Sequence, residues 1–316
     1  IDGKFGPSIS KSLMNILLPI SNNPSLIRQI INYLREERKL YNKEKFDLVI
    51  IDGDMGSNIL ANNRNIPSLF VTNQFRPKLY NSRSYLYPSL IFIAKQINKA
   101  TKILVADSPP PYTMCEYNLN FIKESEHKVV YVGHFTNAKK NESKTKTDLE
   151  KLIENNNFGY WMRTGNKSKN DGTGLRYENV FNQNEMRNEK RIISHARNEP
   201  NIDSVIGKDG KKYSIPDALE KKIDWIQIDI GFLSEQEKDT VLNLCGYAVV
   251  NGSHTVMGEI MGGKSKPIIG IPIYDEHTNN IKWAQEKNLG VLAIKTKHVI
   301  SAISKIKENY DDYEDN

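Results

Sequence analysis

Short apolar runs alternate with amphipathic helical segments along most of the chain, and this alternation limits the fold more than any other feature. A short apolar run bounded by Gly, Pro, Asn or Asp is typical of a buried strand, as at Asp47–Ile51, Ser68–Thr72 and Tyr247–Val250. Helical patterns such as Pro24–Tyr41 and Glu235–Leu244 separate these runs. Strands that alternate with helices form βαβ units, so we expect an α/β fold with parallel sheets.

A polar stretch near the middle of the chain predicts a domain boundary. Residues 136–144 contain no apolar residue larger than alanine, as is typical of a linker. The chain of 316 residues is long enough for two domains that each bury a core. We therefore predict one domain at 1–140 and a second at 141–316.

The charge of the chain narrows the choice of partners. The net charge is +6, but the Lys and Arg residues are spread along the whole sequence. A diffuse positive excess fits an anionic substrate or an acidic lipid surface, and it is a poor indicator of nucleic acid. We expect no nucleic-acid partner, and the basic helix around Arg28–Lys39 leaves a peripheral membrane contact open.

The sequence also predicts the compartment. No apolar run reaches the roughly 18–20 residues that a membrane-spanning helix needs, and the first residues lack the charged and apolar regions of a signal peptide. Cys115 and Cys245 are far apart, so neither a disulfide framework nor a zinc site is predicted. We expect a cytoplasmic protein with no bound metal. Association with a membrane surface through the basic helix stays open.

The segment after Tyr247–Val250 has the pattern of a phosphate site. The apolar run ends at Asn251-Gly252-Ser253-His254-Thr255, and a helical pattern follows. The first N–H groups of a helix lack intrahelical partners and lie at the positive end of the helix dipole, so they bind phosphate well. Gly252 and Ser253 are small enough for a ligand to approach the backbone. In a parallel sheet this junction lies at the carboxyl edge, where open α/β folds bind ligands.

Two further groups of polar residues strengthen this prediction. Glu259 lies about one helical turn beyond Thr255, where a carboxylate can accept both hydroxyls of a ribose. Glu276, His277 and Asn280 follow the next predicted strand and are expected at the same edge of the sheet. A Gly-Ser turn alone is common before helices, and a lone Glu is more often solvated. The prediction therefore depends on the groups occurring together.

These residues resemble the donor-site signature of the GT-B glycosyltransferases, such as the UDP-glycosyltransferases and the N-acetylglucosaminyl transferase of peptidoglycan synthesis. That signature has a small-residue turn, a Glu on the next helix, a Gly-x-Pro strand end and Asp/Glu-Gln-x-x-Asn. The matching segments here are Asn251–Thr255 with Glu259, Gly262–Pro272, Glu276–Asn280 and Gly290-Val291. In the first half, Phe46–Asp52, Ile66-Pro67 and Thr72-Asn73-Gln74 are similar to a group of prokaryotic GT-B proteins.

The resemblance implies two Rossmann-like domains that face a cleft, the first binding the acceptor and the second the donor. Gly252–Thr255 would then contact the donor diphosphate, and Glu259 would bind the ribose. Glu276, His277 and Asn280 would face the sugar or the diphosphate. The first loop of the second domain would add Arg163, Thr164 and Gly165, with Arg163 or His254 supplying positive charge. GT-B enzymes generally need no metal or cofactor.

The sequence departs from the GT-B pattern at three places. His277 stands where Gln is usual, and the loop Thr164–Gly174 is long and rich in Lys and Asn instead of compact and Gly-rich. The amino-terminal Gly-x-Gly-His loop, which commonly supplies the catalytic base, has no counterpart before Gly3. We therefore expect the first domain to be incomplete.

The candidates for a catalytic base are Asp52 and Asp54, which follow a buried strand. Helix capping is the simpler expectation for Asp54, and a structural role is the simpler one for His134.

The predicted function is an inverting, metal-independent transfer of a sugar from a nucleotide-diphosphate sugar, with UDP the expected nucleotide. The acceptor would be a glycan, a lipid or a small molecule. A nucleotide-sugar 2-epimerase and a non-catalytic nucleotide-sugar or glycan-binding protein are the alternatives.

Overall fold

The computed structural model describes residues 25–80, 86–135, 145–163, 174–197, 201–264 and 266–310. The chain divides into two compact units, the first ending at His134 and the second beginning at Phe135. The boundary expected between residues 140 and 141 falls in 136–144, outside the described residues. Among the described residues, no helix has the length and hydropathy needed to cross a membrane.

The first unit is built on a parallel sheet with the strand order β1-β2-β3-β4. Its strands are β1 Val49–Asp52, β2 Ser68–Thr72, β3 Lys102–Val105 and β4 Val129–Tyr131. Its helices are α1 Leu26–Lys43, α2 Met55–Asn63, α3 Tyr87–Ile97 and the short α4 Glu116–Leu119. A 3₁₀ segment at Lys123–Lys128 leads into β4. All strand pairs are parallel, as the βαβ alternation predicts.

The two faces of this sheet differ in burial. On one face, Ile51, Phe70 and Ile103 lie in register and pack with Ala94 and Ile97 of α3. Successive side chains of a strand point to opposite faces. The opposite face therefore carries Ile50, which is 68% exposed. Other exposed apolar residues on that face are Leu48, just before β1, and Val130 and Val132 at the far edge strand β4.

Helix α1 buries a narrower stripe than its apolar pattern predicts. Ile30 and Ile31 are 47% and 43% exposed. The spacing of Ile27, Ile30, Ile31 and Leu34 predicts that both lie on one apolar face. The helix packs against α2 through Leu34 and Tyr41, which cluster with Leu60 of α2. Leu34 and Tyr41 are seven residues apart, so they lie on one side of the helix.

The second unit contains an eight-stranded mixed sheet with the order β12-β11-β10-β5-β6-β9-β7-β8. Its strands are β5 Gly159–Met162, β6 Arg191–Ser194, β7 Ser204–Gly207, β8 Lys212–Tyr213, β9 Trp225–Ile230, β10 Tyr247–Val250, β11 Ile268–Gly270 and β12 Gly290–Leu292. Its helices are α5 Asp148–Ile153, α6 Gly174–Phe181, α7 Ile215–Glu220, α8 Glu235–Leu244, α9 His254–Lys264, α10 Asp275–Glu286 and α11 Thr296–Glu308. The strands β7 and β8 form the antiparallel hairpin that the Asp-Gly pair at 209–210 predicts.

The topology of the second sheet decides where polar residues can meet. The strands β11, β10, β5, β6 and β9 are neighbours and parallel, so their carboxyl ends lie side by side at one edge. The core beneath this edge is aromatic, with Trp161 of β5 in edge-to-face contact with Tyr177 at a centroid distance of 5.0 Å. Loops that follow these five strands therefore share one rigid support.

Candidate functional site

The turn between β10 and α9 is held by its own side chains. The Asn251 Oδ1 atom accepts a hydrogen bond of 2.9 Å from the Ser253 amide. Gly252 has a φ of +88°, in the left-handed region that favours glycine. Helix α9 begins at His254, one residue earlier than expected, and His254 is buried. The predicted strand, small-residue turn and helix start are therefore all present.

Helix α10 fixes the same turn from the other side. The Asn280 side-chain amide donates a 3.0 Å hydrogen bond to the Gly252 carbonyl, and Asn280 is fully buried. A Cβ atom at Gly252 would lie 2.6 Å from the Ile281 Cδ1 atom and 2.7 Å from the His277 carbonyl oxygen. The absence of a side chain at Gly252 thus allows close helix packing, in addition to the ligand approach inferred from the sequence.

The Ile281 side chain also reaches the neighbouring strand. A Cβ atom at Gly270 of β11 would lie 2.4 Å from both the Cδ1 and Cγ1 atoms of Ile281. One isoleucine therefore occupies the space left by two glycines, one at the end of β10 and one in β11. This contact sets the position of the first turns of α10 relative to the sheet.

Glu276 and His277 belong to the first turn of α10. The helix begins at Asp275, three residues before the start at Thr278 that the sequence predicts, so the polar run Asp275–Asn280 belongs to the helix and not to the preceding loop. Burial raises the pKa of Glu276, while His254 and Asn280 oppose that shift. A buried acid beside a histidine can form hydrogen bonds with sugar hydroxyls. The structure thus places Glu276, Asn280 and the Gly252 turn together.

His277 is a neutral residue at physiological pH. Burial lowers the pKa of His277 to about 4, and its Nε2 atom is 3.9 Å from the Glu276 Oε2 atom. Within the described part of the chain, its Nδ1 atom is buried without a hydrogen-bond partner. His277 can therefore offer a hydrogen bond to a ligand, but it does not supply positive charge to a diphosphate.

Glu259 lies on α9, one turn beyond the helix start. Its carboxylate forms an ion pair with Lys238 of α8, at 2.9 Å between the Lys238 Nζ and Glu259 Oε1 atoms. The Lys238 and Glu259 side chains are 35% and 29% exposed, so the carboxylate is accessible and held in place. Sequence reasoning placed Glu259 correctly on the helix but did not identify Lys238, which is 21 residues away.

Arg163 lies at the carboxyl end of β5, which is the strand beside β10. Its backbone amide donates a 2.8 Å hydrogen bond to the Ser194 carbonyl, which continues the pairing of β5 with β6. The side chain is partly buried. Thr164 and Gly165, predicted to act with it, lie outside the described residues.

A polar network that runs along β6 and β9 toward the same edge was missed by sequence reasoning. The His195 Nε2 atom lies 2.8 Å from the Asp229 Oδ1 atom, and Gln227 donates to Asp229 Oδ2 at 2.8 Å. The Arg191 Nε atom in turn donates to Gln227 Oε1 at 2.7 Å. These residues come from β6 and β9, which are adjacent only in the folded sheet. The alternation of polar residues in Trp225–Ile230 was the only available signal.

The two aspartates of the first unit have different surroundings. Asp52 is the last residue of β1 and is exposed. The Asp54 carboxylate caps α2 by accepting hydrogen bonds from the amides of Gly56, at 2.9 Å, and Ser57, at 3.2 Å. Burial alone would raise the pKa of Asp54, but hydrogen bonds led by the one from Tyr33 outweigh it and lower the pKa. A lowered pKa makes Asp54 a poorer base and favours the capping role.

No family model matches the sequence, and no curated protein matches it either. Solved structures do match. The chain superposes on a UDP-glucosyltransferase from Polygonum tinctorium with a TM-score of 0.59 at 12% identity, covering 99% of this chain and 85% of that one. The chain also superposes on S. aureus MnaA, in a co-structure with UDP, with a TM-score of 0.59 at 12% identity. That match covers 96% of this chain and 79% of that one.

A third match is a UDP-N-acetylglucosamine 2-epimerase, with a TM-score of 0.55 at 13% identity, covering 93% of this chain and 72% of that one. At these identities the likeness concerns the fold. It confirms the prediction of an α/β chain with the two-domain GT-B architecture. The expectation that the first domain is incomplete stays a prediction.

Proposed function

We propose that the second unit binds a nucleotide-diphosphate sugar at the carboxyl edge of its sheet, and that the protein is a glycosyltransferase. The observation that carries the proposal is the double fixation of the Gly252 turn, by Asn251 from within and by Asn280 from α10. A turn held in this way presents the first amides of α9 without reorganisation when an anion binds. Preorganised donors of this kind stabilise the negative charge of a leaving diphosphate.

The remaining parts of a donor site lie around this turn. Glu259, one helical turn inward, is placed to accept the ribose hydroxyls. Glu276, in the first turn of α10, is placed to bind hydroxyls of the sugar. Arg163 at the end of β5 and His254 at the start of α9 are the candidates for positive charge, whereas His277 is neutral. The proposed reaction is an inverting, metal-independent transfer from a UDP sugar to a glycan, lipid or small-molecule hydroxyl.

The donor site can be tested by the thermal stability of the protein with UDP, GDP, dTDP and CMP. A ligand at 100 times its Kd stabilises the folded state by about 2.7 kcal/mol. We expect UDP to raise the Tm of the wild type and to leave the Tm of Glu259→Ala unchanged. Lys238→Ala is the matched control, because it breaks the same ion pair and keeps the carboxylate. A wild type with no shift for any nucleotide contradicts the donor site.

The reaction can be tested with UDP-glucose and UDP-N-acetylglucosamine. A transferase releases UDP, and it continues to do so in EDTA if no metal is needed. A 2-epimerase, which the likeness to such an enzyme makes the second candidate, converts UDP-N-acetylglucosamine into its C2 epimer without net release of UDP. Binding without either product identifies a nucleotide-sugar-binding protein.

A further inference from the structure

Helix α1 carries three arginines that take no part in packing the first unit. Arg28, Arg35 and Arg38 are all exposed. Their spacing of seven and three residues places them on one face of the helix, beside the stripe of Leu34 and Tyr41 that packs against α2. Among the residues that the structure describes, none of the three guanidinium groups forms an ion pair. Their charges are therefore available to an external partner.

The carboxylates of α1 do not neutralise this face. Glu36 forms an ion pair with Lys39, at 2.6 Å between the Lys39 Nζ and Glu36 Oε1 atoms. Glu37 accepts a hydrogen bond from the Ser57 hydroxyl of α2 and is half-buried. The helix contains five cations and two carboxylates, and both carboxylates already have partners. The arginine face therefore has a net positive charge.

An open groove runs along the same face of α1 and has a volume of about 530 Å³. Its described lining residues are Asn32, Arg35, Glu36, Arg38, Lys39 and Asn42. Guanidinium groups bind phosphate through paired N–H donors, and asparagine amides add neutral donors. The groove therefore offers the charge and the hydrogen-bond donors that a phosphate-bearing headgroup requires.

Exposed apolar side chains lie beside the arginines. Ile31 is 43% exposed and lies on the arginine face, three residues after Arg28 and four before Arg35. Ile30 and Leu40 of the same helix are exposed as well. A helix surface that combines cations with apolar side chains binds the interface of an anionic bilayer, where the apolar groups leave water. A nucleic-acid backbone offers an isoleucine no such environment, so the combination favours a lipid surface.

We propose that this face of α1 docks the protein on a membrane surface rich in anionic phospholipids. The arginines bind the lipid phosphates, and Ile31 enters the headgroup layer. The contact involves the first unit alone and does not depend on the proposed donor site. An anionic surface raises the affinity by about fivefold for each Lys or Arg that lies near it, so three arginines contribute about 100-fold.

Sedimentation of the full chain with vesicles tests the docking. The vesicles contain phosphatidylcholine alone or an equal mixture of phosphatidylcholine and phosphatidylglycerol. We expect the wild type to bind the mixed vesicles and not the neutral ones, with an affinity that falls as the salt concentration rises. The variant Arg28→Gln/Arg35→Gln/Arg38→Gln should bind the mixed vesicles about 100-fold more weakly.

A matched control removes the same charge elsewhere on the first unit. Lys99, Lys102 and Lys123 are exposed and lie outside α1. The variant Lys99→Gln/Lys102→Gln/Lys123→Gln should bind the mixed vesicles less than about fivefold more weakly than the wild type. Equal losses in the arginine and lysine variants would mean that diffuse charge attracts the protein, and the proposed docking face would be wrong.

A single labelled position tests the insertion of residue 31 even if the triple variant does not fold. Cys115 and Cys245 are buried, so an environment-sensitive fluorophore on Ile31→Cys reports on that position alone. Its emission should shift to the blue with the mixed vesicles and stay unchanged with the neutral ones. The same fluorophore on Lys99→Cys should not respond. A silent label at residue 31, on protein that does bind the vesicles, would show that another surface docks.

Two further outcomes would overturn the proposal. One is a wild type that binds mixed and neutral vesicles equally. The other is a single-stranded RNA that binds more tightly than the mixed vesicles at equal phosphate concentration and loses affinity in the arginine variant, because the face would then belong to nucleic acid. The UDP-dependent rise in Tm should be the same in all these variants. A wild type without that rise contradicts the donor site and leaves the docking result unchanged.

Discussion

Replacing Gly252 by alanine should destabilise the second unit and abolish nucleotide binding at the proposed donor site. A φ of +88° is unfavourable for alanine by about 1–2 kcal/mol. The new Cβ atom would also lie 2.6 Å from the Ile281 Cδ1 atom and 2.7 Å from the His277 carbonyl oxygen. Overpacking of this kind costs about 1–3 kcal/mol. The two costs together predict a loss of about 2–5 kcal/mol in the free energy of unfolding.

Two matched glycines separate these costs. Gly210, in the hairpin of the same unit, has a φ of +77°, and a Cβ atom added there would meet no other atom within 4 Å, so Gly210→Ala measures the backbone cost alone. Gly270 lacks a positive φ but would place its Cβ atom 2.4 Å from Ile281, so Gly270→Ala measures the packing cost alone. We expect about 1–2 and about 1–3 kcal/mol respectively.

Urea unfolding followed by circular dichroism gives all three values, and UDP binding is measured beside it. Gly252→Ala should show the largest destabilisation and no UDP-dependent rise in Tm, whereas Gly210→Ala should keep the UDP response. A Gly252→Ala protein as stable as Gly210→Ala would refute the reasoning, because it would mean that α10 moves away from the turn at no cost.

Two further predictions concern titration and capping. Burial lowers the pKa of His277 from 6.5 to about 4 in the folded protein. The unfolded chain therefore binds a proton more readily than the folded one, so the free energy of unfolding is highest above pH 6.5 and falls as the pH falls toward 4. The wild type should therefore lose up to about 3 kcal/mol more than His277→Gln in urea unfolding between pH 7 and pH 4, and equal losses would contradict the burial of the ring. Asp54→Ala should lower the free energy of unfolding by about 1–2 kcal/mol through loss of the α2 cap. Asp54→Asn should keep both the cap and the rate of UDP release. A large loss of rate in Asp54→Asn would restore Asp54 as a catalytic candidate.

Sequence patterns predicted the buried strands and the longer helices well because those elements bury a face. The strands Ser68–Thr72 and Tyr247–Val250 and the helix Glu235–Leu244 have the expected bounds. The short helices α5 and α7 were missed, since six residues are too few for a helical period to stand out. The capping box of Thr147 and Glu150 was the available signal for α5.

The candidate site was predictable only where its residues are close in sequence. Asn251–Thr255 and Glu259 belong to one strand–turn–helix segment, so their relative positions follow from local geometry. The pair Lys238–Glu259 depends on which elements become neighbours in the fold. A single sequence does not indicate such a pairing, because the partners have no common period.

The contact of Ile281 with two glycines has a consequence for how the sugar preference of the proposed donor site can be altered. Sliding or tilting α10 to admit a bulkier sugar would drive the isoleucine into β11 or into the turn after β10. New specificity is therefore more accessible through side-chain exchanges at Glu276 and His277 than through remodelling of the backbone. Libraries that hold Gly252, Gly270 and Ile281 constant while varying those two positions should retain far more folded members than libraries that randomise all five.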